Sequence, residues 1–383
     1  MARRVAIVGA ALSDVGRVDH KSAWQLHHQA TTRALADAGI SRSEVDGFMS
    51  HGTGNLPPIE LAEYLGLAPH IDYIDSTGVG GSCWEIFLEH AVAAIAMGRI
   101  DTVVMSYGST TRADLKRRTR TSNLYFGNRG PVQFDAPFGH TLIAKHAMSA
   151  RRHMHEFGTT IEQLAEIAVS ARYNAGLNPD AYYRDPITVE DVQGSPMIAD
   201  PFTKLHCCIR SDGGGAIVLT HEDRARDCAS APVWVLGTGE AISHTIMSEW
   251  ADFTESPCVR SGAKAFGQAG VRPEDIDVVE VYDSFTLTVL LTLEGLGFCK
   301  KGEGGGFVEG GRLQVGGELP TNTDGGGLSA CQPGMRGIFL LVEAVKQLRG
   351  QCGARQVADA ALACVNGTGG WISSTGTAIL GRE

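Results

Sequence analysis

Four loops of this 383-residue chain, three of them rich in glycine, carry the side chains best suited to chemistry. Cys83 ends the run Gly-Val-Gly-Gly-Ser-Cys just before a long helical pattern, and the positive end of a helix lowers the pKa of a thiol. Tyr282 ends an apolar strand pattern. Its hydroxyl can donate a hydrogen bond to a developing oxyanion or, with a lowered pKa, act as a general base. The two residue types therefore suit chemistry at a carbonyl group.

The other two loops contribute Cys331 with Gln332, and Asn366. A glutamine can donate a hydrogen bond but cannot exchange protons at pH 7. Cys331 could act as an acid or base if its thiol were perturbed, and a small residue filling a loop is an equal alternative. Asn366 offers an amide for polar contacts.

Two pairs of segments with similar sequences predict an internal duplication. Residues 34–51 and 265–282 both read as a helix end, a capping glycine, an acidic turn and an apolar strand. Residues 76–98 and 322–350 share a glycine-rich loop followed by a long apolar helix. Because the two matches occur in the same order, duplication is a better explanation than chance.

Each half alternates strands and helices, which predicts layered α/β units with mostly parallel sheets. We place the N-terminal half at residues 1–230 and the C-terminal half at 231–383. Residues 112–200 match neither repeat and are predicted to form an insertion that covers the site as a lid. Residues 338–342 are apolar on nearly every side, as expected for a helix between two sheets.

Composition excludes several classes of protein. With 33 basic and 43 acidic residues, the formal charge of −10 argues against binding to nucleic acid or an anionic membrane. Nine cysteines without CxxC spacing do not predict a metal site. The sequence shows neither an export segment nor a transmembrane run, so a cytoplasmic protein is expected. A local basic run is the exception: Lys116, Arg117, Arg118 and Arg120.

The order of the motifs over nearly the whole chain resembles the thiolase superfamily. The similarity is greatest to its lipid-transfer-protein (sterol-carrier-protein) type branch, which includes thiolases, steroid side-chain retro-aldolases and the thiolase-like subunit of benzoylsuccinyl-CoA thiolase. The segments that carry it are GVGGSC (78–83), RDPITVEDV (184–192), SPMIADPF (195–202), SDGGGAIVL (211–219), VYDSF (281–285), LEGLGFCKKGEGG (293–305), DGGGLSACQPG (324–334) and VNGTGGW (365–371).

The resemblance implies a five-layered αβαβα fold made of two similar halves, and a homodimer. It also implies acyl-CoA substrates, with coenzyme A as co-substrate rather than as a bound cofactor. Members of the branch often work with a small subunit that carries an OB-fold and a zinc ribbon, so such a partner is expected here.

The resemblance also assigns roles to residues. The nucleophile position of the family falls on Gly81, so Cys83, two residues later, is the nucleophile only if the loop is shifted. Tyr282 stands where thiolases have an asparagine or histidine of the oxyanion hole. Gln332 replaces the histidine that normally activates the nucleophile.

Further contacts with substrate are expected from the same resemblance. Phe138 and His140 lie in the segment that shapes the acyl pocket of the family, and Gly326 and Gly369 lie in its glycine loops. Asn366 belongs to the loop that bears a second, acid/base cysteine in thiolases. The run from Lys116 to Arg120 could bind the CoA phosphates or an acidic partner, or be an ordinary solvated surface.

Three functions are compatible with these residues. The preferred one is CoA-dependent thiolysis of a β-ketoacyl-CoA, such as an aromatic substrate of the benzoylsuccinyl-CoA kind, with Cys83 as nucleophile. The second is retro-aldol cleavage of a β-hydroxyacyl-CoA with Tyr282 as base, which the missing nucleophile and histidine favour. The third is a non-catalytic carrier of acyl-CoA or lipid.

Overall fold

A computed structural model of the chain describes residues 3–51, 56, 58–117, 130–138 and 141–382. In chain order, its strands and α-helices are β1 (Val5–Leu12), α1 (Ala23–Ala38), β2 (Gly47–Met49), α2 (Ile59–Tyr64), β3 (Tyr73–Asp75), α3 (Cys83–Ala96), β4 (Thr102–Ser109), α4 (Thr111–Arg117), α5 (Leu142–Phe157), α6 (Ile161–Leu177), α7 (Val189–Gly194), β5 (Met197–Ala199), β6 (Phe202–Thr203), β7 (Gly213–His221), α8 (Glu222–Ala225), β8 (Val233–Ile242), α9 (Cys258–Ala269), β9 (Val278–Val281), α10 (Thr286–Leu296), α11 (Gly304–Phe307), α12 (Gly337–Leu348), β10 (Leu362–Gly369) and β11 (Ser374–Gly381).

The strand order confirms a fold of two similar halves. The nine strands of the large sheet run β3-β2-β4-β7-β1-β8-β11-β10-β9. In the first half, β1 pairs antiparallel with β7, β7 pairs antiparallel with β4, and β4 pairs parallel with β2. In the second half, β8 pairs antiparallel with β11, β11 pairs antiparallel with β10, and β10 pairs parallel with β9. The short contact between β1 and β8 pairs Ala6 with Trp234 and Ile7 with Val233, and it joins the halves edge to edge.

The matched segments adopt the same local structure. Helices α1 and α9 end at Gly39 and Gly270, which both have φ of 68°. This left-handed conformation is accessible to glycine without a steric penalty, and it closes the helix end. A short 3₁₀ turn and a buried strand follow each glycine. The repeated sequence pattern therefore encodes a repeated unit.

Five layers follow from the helix contacts. Helix α1 packs on β1, β4 and β7, and α9 packs on β8 and β11, so these helices form the outer layers. Helices α3 and α12 contact each other and strands of both halves, so they form the central layer. Every residue from Ile338 to Val345 is buried, which agrees with the expected helix between two sheets.

The sheet is less parallel than the alternation of strands and helices predicts. Within the described residues, parallel pairing joins β2 with β3 and β4, and β9 with β10, while the other pairs of the large sheet are antiparallel. The physical reason is clear for β10 and β11, since a tight turn connects them directly and antiparallel neighbours need no crossover helix.

The segment from 112 to 200 contains helices α5 and α6. Arg118, Arg120 and His140 lie outside the described residues. None of the helices in the described part of the chain combines the length and hydrophobicity needed to cross a membrane. The role of this segment as a lid and the boundary at residue 230 stay predictions.

Candidate active site

Tyr282 and Gln332 meet in the central layer, although fifty residues separate them in sequence. Tyr282 directly follows β9, and its backbone N–H donates to the Asn366 carbonyl at 3.0 Å. Its buried hydroxyl accepts a hydrogen bond of 2.9 Å from Nε2 of Gln332. Because the amide occupies one lone pair of the phenol, the O–H remains directed elsewhere. The predicted convergence of these two residues is present.

The loop that carries Gln332 is held by hydrogen bonds to its backbone. The Gln332 N–H donates to Oγ of Ser211 at 2.8 Å. A single π-helical turn, Gly326–Ala330, precedes Gln332. The carboxylate of Asp283 accepts the N–H of Gly327 at 2.7 Å and that of Leu328 at 3.0 Å. Asp283, the residue next to Tyr282, therefore fixes the turn that precedes Gln332.

Buried charges balance one another beneath this loop. Arg336 is fully buried and forms ion pairs with Asp283, at 3.5 Å, and with Asp324. Its Nη1 also donates to the Cys331 carbonyl at 2.8 Å. Burial raises the pKa of Asp283 to about 6 despite the opposing charge of Arg336. Burial acts in the same direction on Asp324, but the guanidinium holds the pKa of that carboxyl below its ordinary value.

Gly81, which the resemblance places at the family's nucleophile position, packs directly on the ring of Tyr282. A Cβ at Gly81 would lie 2.4 Å from Cε2 of Tyr282 and 2.5 Å from the Thr368 carbonyl oxygen. Such distances are far inside van der Waals contact. A cysteine therefore cannot replace Gly81 unless the tyrosine ring moves. In this chain the aromatic ring fills the space next to the position that the resemblance assigns to the thiol of a thiolase.

We expect Gly81→Ala to destabilise the fold by about 1–3 kcal/mol, because overpacking a well-filled core forces neighbouring groups to shift. The shift will fall on Tyr282 and Thr368, so turnover will also decrease. Thermal unfolding and steady-state rates measure the two effects. Gly306→Ala is the matched control, because no atom of the described residues lies within 4 Å of a Cβ there. Equal behaviour of the two variants would contradict the packing described for Gly81.

Cys83 is placed differently from a reactive thiol. It is the first residue of α3, fully buried in the central core cluster. Burial raises the pKa of Cys83 well above the ordinary thiol value, and the neighbouring Glu85 raises it further. The helix end therefore does not produce a thiolate, because the cost of burying the charge is larger than the stabilisation from the helix end.

Asn366 and Cys331 are near the site in the chain, but their side chains are engaged elsewhere. Asn366 Nδ2 donates to Thr377 Oγ1 at 2.8 Å, and Thr377 in turn contacts Ser261 of the outer helix α9 at 2.7 Å. The side-chain amide of Asn366 thus lies on the face of the sheet away from Tyr282. The thiol of Cys331 lies 3.2 Å from Oγ of Ser211, and burial raises its pKa to about 11.

The two glycines proposed as substrate contacts allow close packing of backbone. Gly326 has φ of 66°, and a Cβ there would lie 2.0 Å from Oδ2 of Asp283. A Cβ on Gly369 would lie 2.0 Å from the Val79 carbonyl oxygen, so the loop before α3 rests on the end of β10. Both glycines join the loops of the site, and contact with substrate stays a prediction for each.

Phe138 is 90% exposed and lies beside the undescribed residues 139–140, so its predicted contact with substrate remains untested, as does that of His140. In the basic run, Lys116 lies 3.5 Å from Asp19, and Arg117 donates to the Asp19 carbonyl. The predicted role of this run toward phosphate stays open. In the part of the chain that the structure describes, no group of three or more His, Cys, Asp or Glu side chains could hold a metal ion.

Sequence reasoning missed Ser211 and Arg336, which hold the Gln332 loop. Ser211 belongs to the SDGGG motif, and that signal drew attention to the glycines only. Arg336 precedes a helix and carries no pattern that distinguishes a fully buried arginine from an exposed one. Its role follows only from the two carboxylates that surround it.

Comparison with known proteins places this geometry in a class. Residues 239–382 match the model of the family described as "Thiolase C-terminal domain-like". The solved structure of the Ltp2-ChsH2(DUF35) aldolase superposes on 99% of this chain and 98% of that chain, with a TM-score of 0.89 and 32% sequence identity. The fold is therefore a thiolase fold.

Two curated relatives cover almost the whole chain. The acetyl-CoA acetyltransferase of Methanothermobacter thermautotrophicus is 34% identical over 96% of this chain and 97% of its own length. The 17-hydroxy-3-oxo-4-pregnene-20-carboxyl-CoA lyase of Mycobacterium tuberculosis is 36% identical over 91% of this chain and 92% of its own length. The chain belongs to the thiolase superfamily, in its lipid-transfer-protein (sterol-carrier-protein) type branch.

Proposed function

We propose that this chain is a retro-aldolase that cleaves a β-hydroxyacyl-CoA. The observation that carries the proposal is the contact of the Tyr282 ring with Gly81, where a thiolase needs its cysteine. The hydroxyl of the same tyrosine is held by Gln332, which cannot take over the proton transfer of a histidine. For these two reasons we prefer retro-aldol cleavage to thiolysis, although the sequence favoured thiolysis.

The reaction uses one proton acceptor and no covalent intermediate. The oxygen of ionised Tyr282 takes the proton of the substrate's β-hydroxyl. The bond between Cα and Cβ then breaks, the β-carbon becomes a carbonyl carbon, and the electron pair remains on an enolate of the shortened acyl-CoA. A proton returns to Cα of this enolate. Coenzyme A stays attached throughout, and no free CoA is consumed.

The pKa of Tyr282 sets the expected pH dependence. Burial raises the pKa well above the ordinary value of 10, although the hydrogen bond from Gln332 opposes the shift. Near neutral pH the ionised form is therefore a small fraction of the free enzyme. Because that fraction grows about tenfold per pH unit, the rate of cleavage rises with pH in the neutral range.

The relatives support this reaction class and a partner. One relative is named a lyase of a steroid carboxyl-CoA, and the solved structure is of an aldolase named for two components. We propose a homodimer that works with a small OB-fold and zinc-ribbon subunit.

Thiolysis remains the second candidate, because Cys83 begins α3 and one relative is an acetyltransferase. We expect Cys83→Ala to keep turnover of a β-hydroxyacyl-CoA within about threefold, since removing a buried thiol leaves only a small cavity. We also expect Cys83 to resist iodoacetamide in the native chain, because its raised pKa disfavours the thiolate. Assays with a β-hydroxyacyl-CoA, and with a β-ketoacyl-CoA plus free CoA, measure both reactions.

Loss of β-ketoacyl-CoA thiolysis in Cys83→Ala, together with labelling of Cys83 that acyl-CoA prevents, would establish thiolysis instead. If neither Cys83→Ala nor Tyr282→Phe changes turnover of any acyl-CoA, with the small subunit added, the non-catalytic carrier is the better explanation.

A further inference from the structure

Glu85 is a buried acid for which the proposed reaction has no use. It lies on α3, one helical turn after Gly81, and is 1% exposed. Among the described residues, neither oxygen of its carboxyl group has a hydrogen-bond partner. Buried polar groups are nearly always paired, so an unpaired carboxyl in the central layer requires an explanation.

Three glycines of the C-terminal half make the space that this side chain occupies. A Cβ on Gly367 would lie 1.9 Å from Oε2 of Glu85, and one on Gly337 would lie 2.7 Å from the same atom. A Cβ on Gly376 would lie 2.6 Å from Cβ of Glu85. The space for the Glu85 side chain therefore exists because β10, β11 and the start of α12 lack side chains at these points.

The space that Glu85 occupies extends to Gly81, in the turn that packs on Tyr282. A Cβ on Gly337 would meet both groups, because it would lie 2.5 Å from the Gly81 carbonyl oxygen and 2.7 Å from Oε2 of Glu85. A carboxylate and a carbonyl are both acceptors and cannot bond to each other. A protonated carboxyl group has an O–H to donate, so the neutral acid fits this position and the ion does not. Burial agrees with this, since it raises the pKa of Glu85 to about 8.

We propose that Glu85 is a positioning residue which, as a neutral acid, donates a hydrogen bond to the Gly81 carbonyl and keeps that turn packed on Tyr282. When Glu85 ionises at alkaline pH, the bond is lost and the turn loosens. The effect on catalysis rests on the proposed function, whereas the effect on the turn does not.

Other titratable or charged groups on α3 and on the elements packed against it are few enough to name. None of them hydrogen-bonds the Glu85 carboxyl among the described residues. They are Cys83, Glu89 and His90 of α3, Tyr107 of β4, His221 of β7, Glu240 of β8, Glu343 and Lys346 of α12 and Cys364 of β10, together with Tyr282 and Arg336 beside these elements. Arg336 pairs with Asp283 and Asp324, and His90 pairs with Asp75, so these two cations have carboxyl partners other than Glu85.

The dependence of the unfolding free energy on pH tests whether Glu85 is neutral in the folded chain. Unfolded Glu85 ionises near its ordinary pKa of 4.5, while the folded chain keeps the proton up to about pH 8. The stabilisation is therefore complete below pH 4.5 and is lost as the pH rises to about 8, by up to about tenfold in the unfolding constant per pH unit. We expect Glu85→Gln to lack this loss, because glutamine stays neutral and can donate to the same carbonyl.

Hydrogen exchange of the peptide around residues 76–88 tests the positioning role without any substrate. We expect protection of this turn to fall above pH 8 in the wild-type chain and to persist in Glu85→Gln. Glu63→Gln, a change at an exposed carboxyl on α2, is the matched control and should behave as wild type. If Glu85→Gln folds poorly, the break near pH 8 in the wild-type chain alone decides the question.

Turnover gives the third measurement. With a β-hydroxyacyl-CoA, kcat of the wild-type chain should rise with pH and then fall above about pH 8, while kcat of Glu85→Gln continues to rise. Parallel stability profiles of the two proteins would overturn the neutral acid, and parallel exchange profiles would overturn the positioning role. Absence of turnover in both, with distinct exchange profiles, would refute the proposed function alone.

Discussion

Tyr282→Phe is expected to lower kcat for a β-hydroxyacyl-CoA by about 10²–10⁴-fold, the usual contribution of a positioned acid–base group. The phenyl ring keeps its contact with Gly81, so the backbone of the site is retained. What is lost is the oxygen that accepts the β-hydroxyl proton and the partner of Gln332 Nε2. Because binding of the acyl-CoA does not depend on that oxygen, KM should change much less than kcat.

Tyr107→Phe is the matched control for Tyr282→Phe. Tyr107 is also a buried tyrosine of the central layer, and its hydroxyl donates to the Pro333 carbonyl at 2.8 Å. This hydroxyl also accepts the Met335 N–H at 3.2 Å, so its removal perturbs the neighbouring loop without removing the proposed base, and a loss of at most about tenfold is expected. A kcat of Tyr282→Phe within that same range would exclude Tyr282 as the base.

Arg336→Met is expected to destabilise the chain by about 3–5 kcal/mol, the typical cost of removing one partner from a buried ion pair. The change leaves Asp283 and Asp324 close together without a counter-charge in the interior. It also removes the hydrogen bond to the Cys331 carbonyl, which is next to Gln332. Urea unfolding measures the free energy, and turnover of the folded fraction should fall because the Gln332 loop is no longer held.

Arg272→Met provides the comparison for this charge removal. Arg272 pairs with Glu274 on the surface, where both side chains are well exposed. Exposed pairs contribute at most about 1 kcal/mol, so this variant should unfold close to wild type. If Arg336→Met were no less stable than Arg272→Met, the buried charges would not be what holds the loop.

Local sequence was sufficient for the duplicated architecture. A helix end, its capping glycine and a buried strand depend on residues within a few positions, and these recur at Gly39 and Gly270. Apolar residues on nearly every side of 338–342 were enough to place α12 between sheets. The direction of the neighbouring strands was not predictable in this way, because antiparallel pairing of β7 with β1 and β4 depends on how distant segments return.

The site was only partly determined by the sequence. Residue types and motif order marked Tyr282 and Gln332, and the structure brings them to 2.9 Å. The sequence could not show that Cys83 is buried in the core, that Asn366 faces the outer layer, or that Glu85 occupies a space left by three glycines. Each of these outcomes depends on burial and on which face of an element a side chain takes. Those properties arise when two halves pack together, because solvent exclusion and close contact are set by groups far apart in the chain.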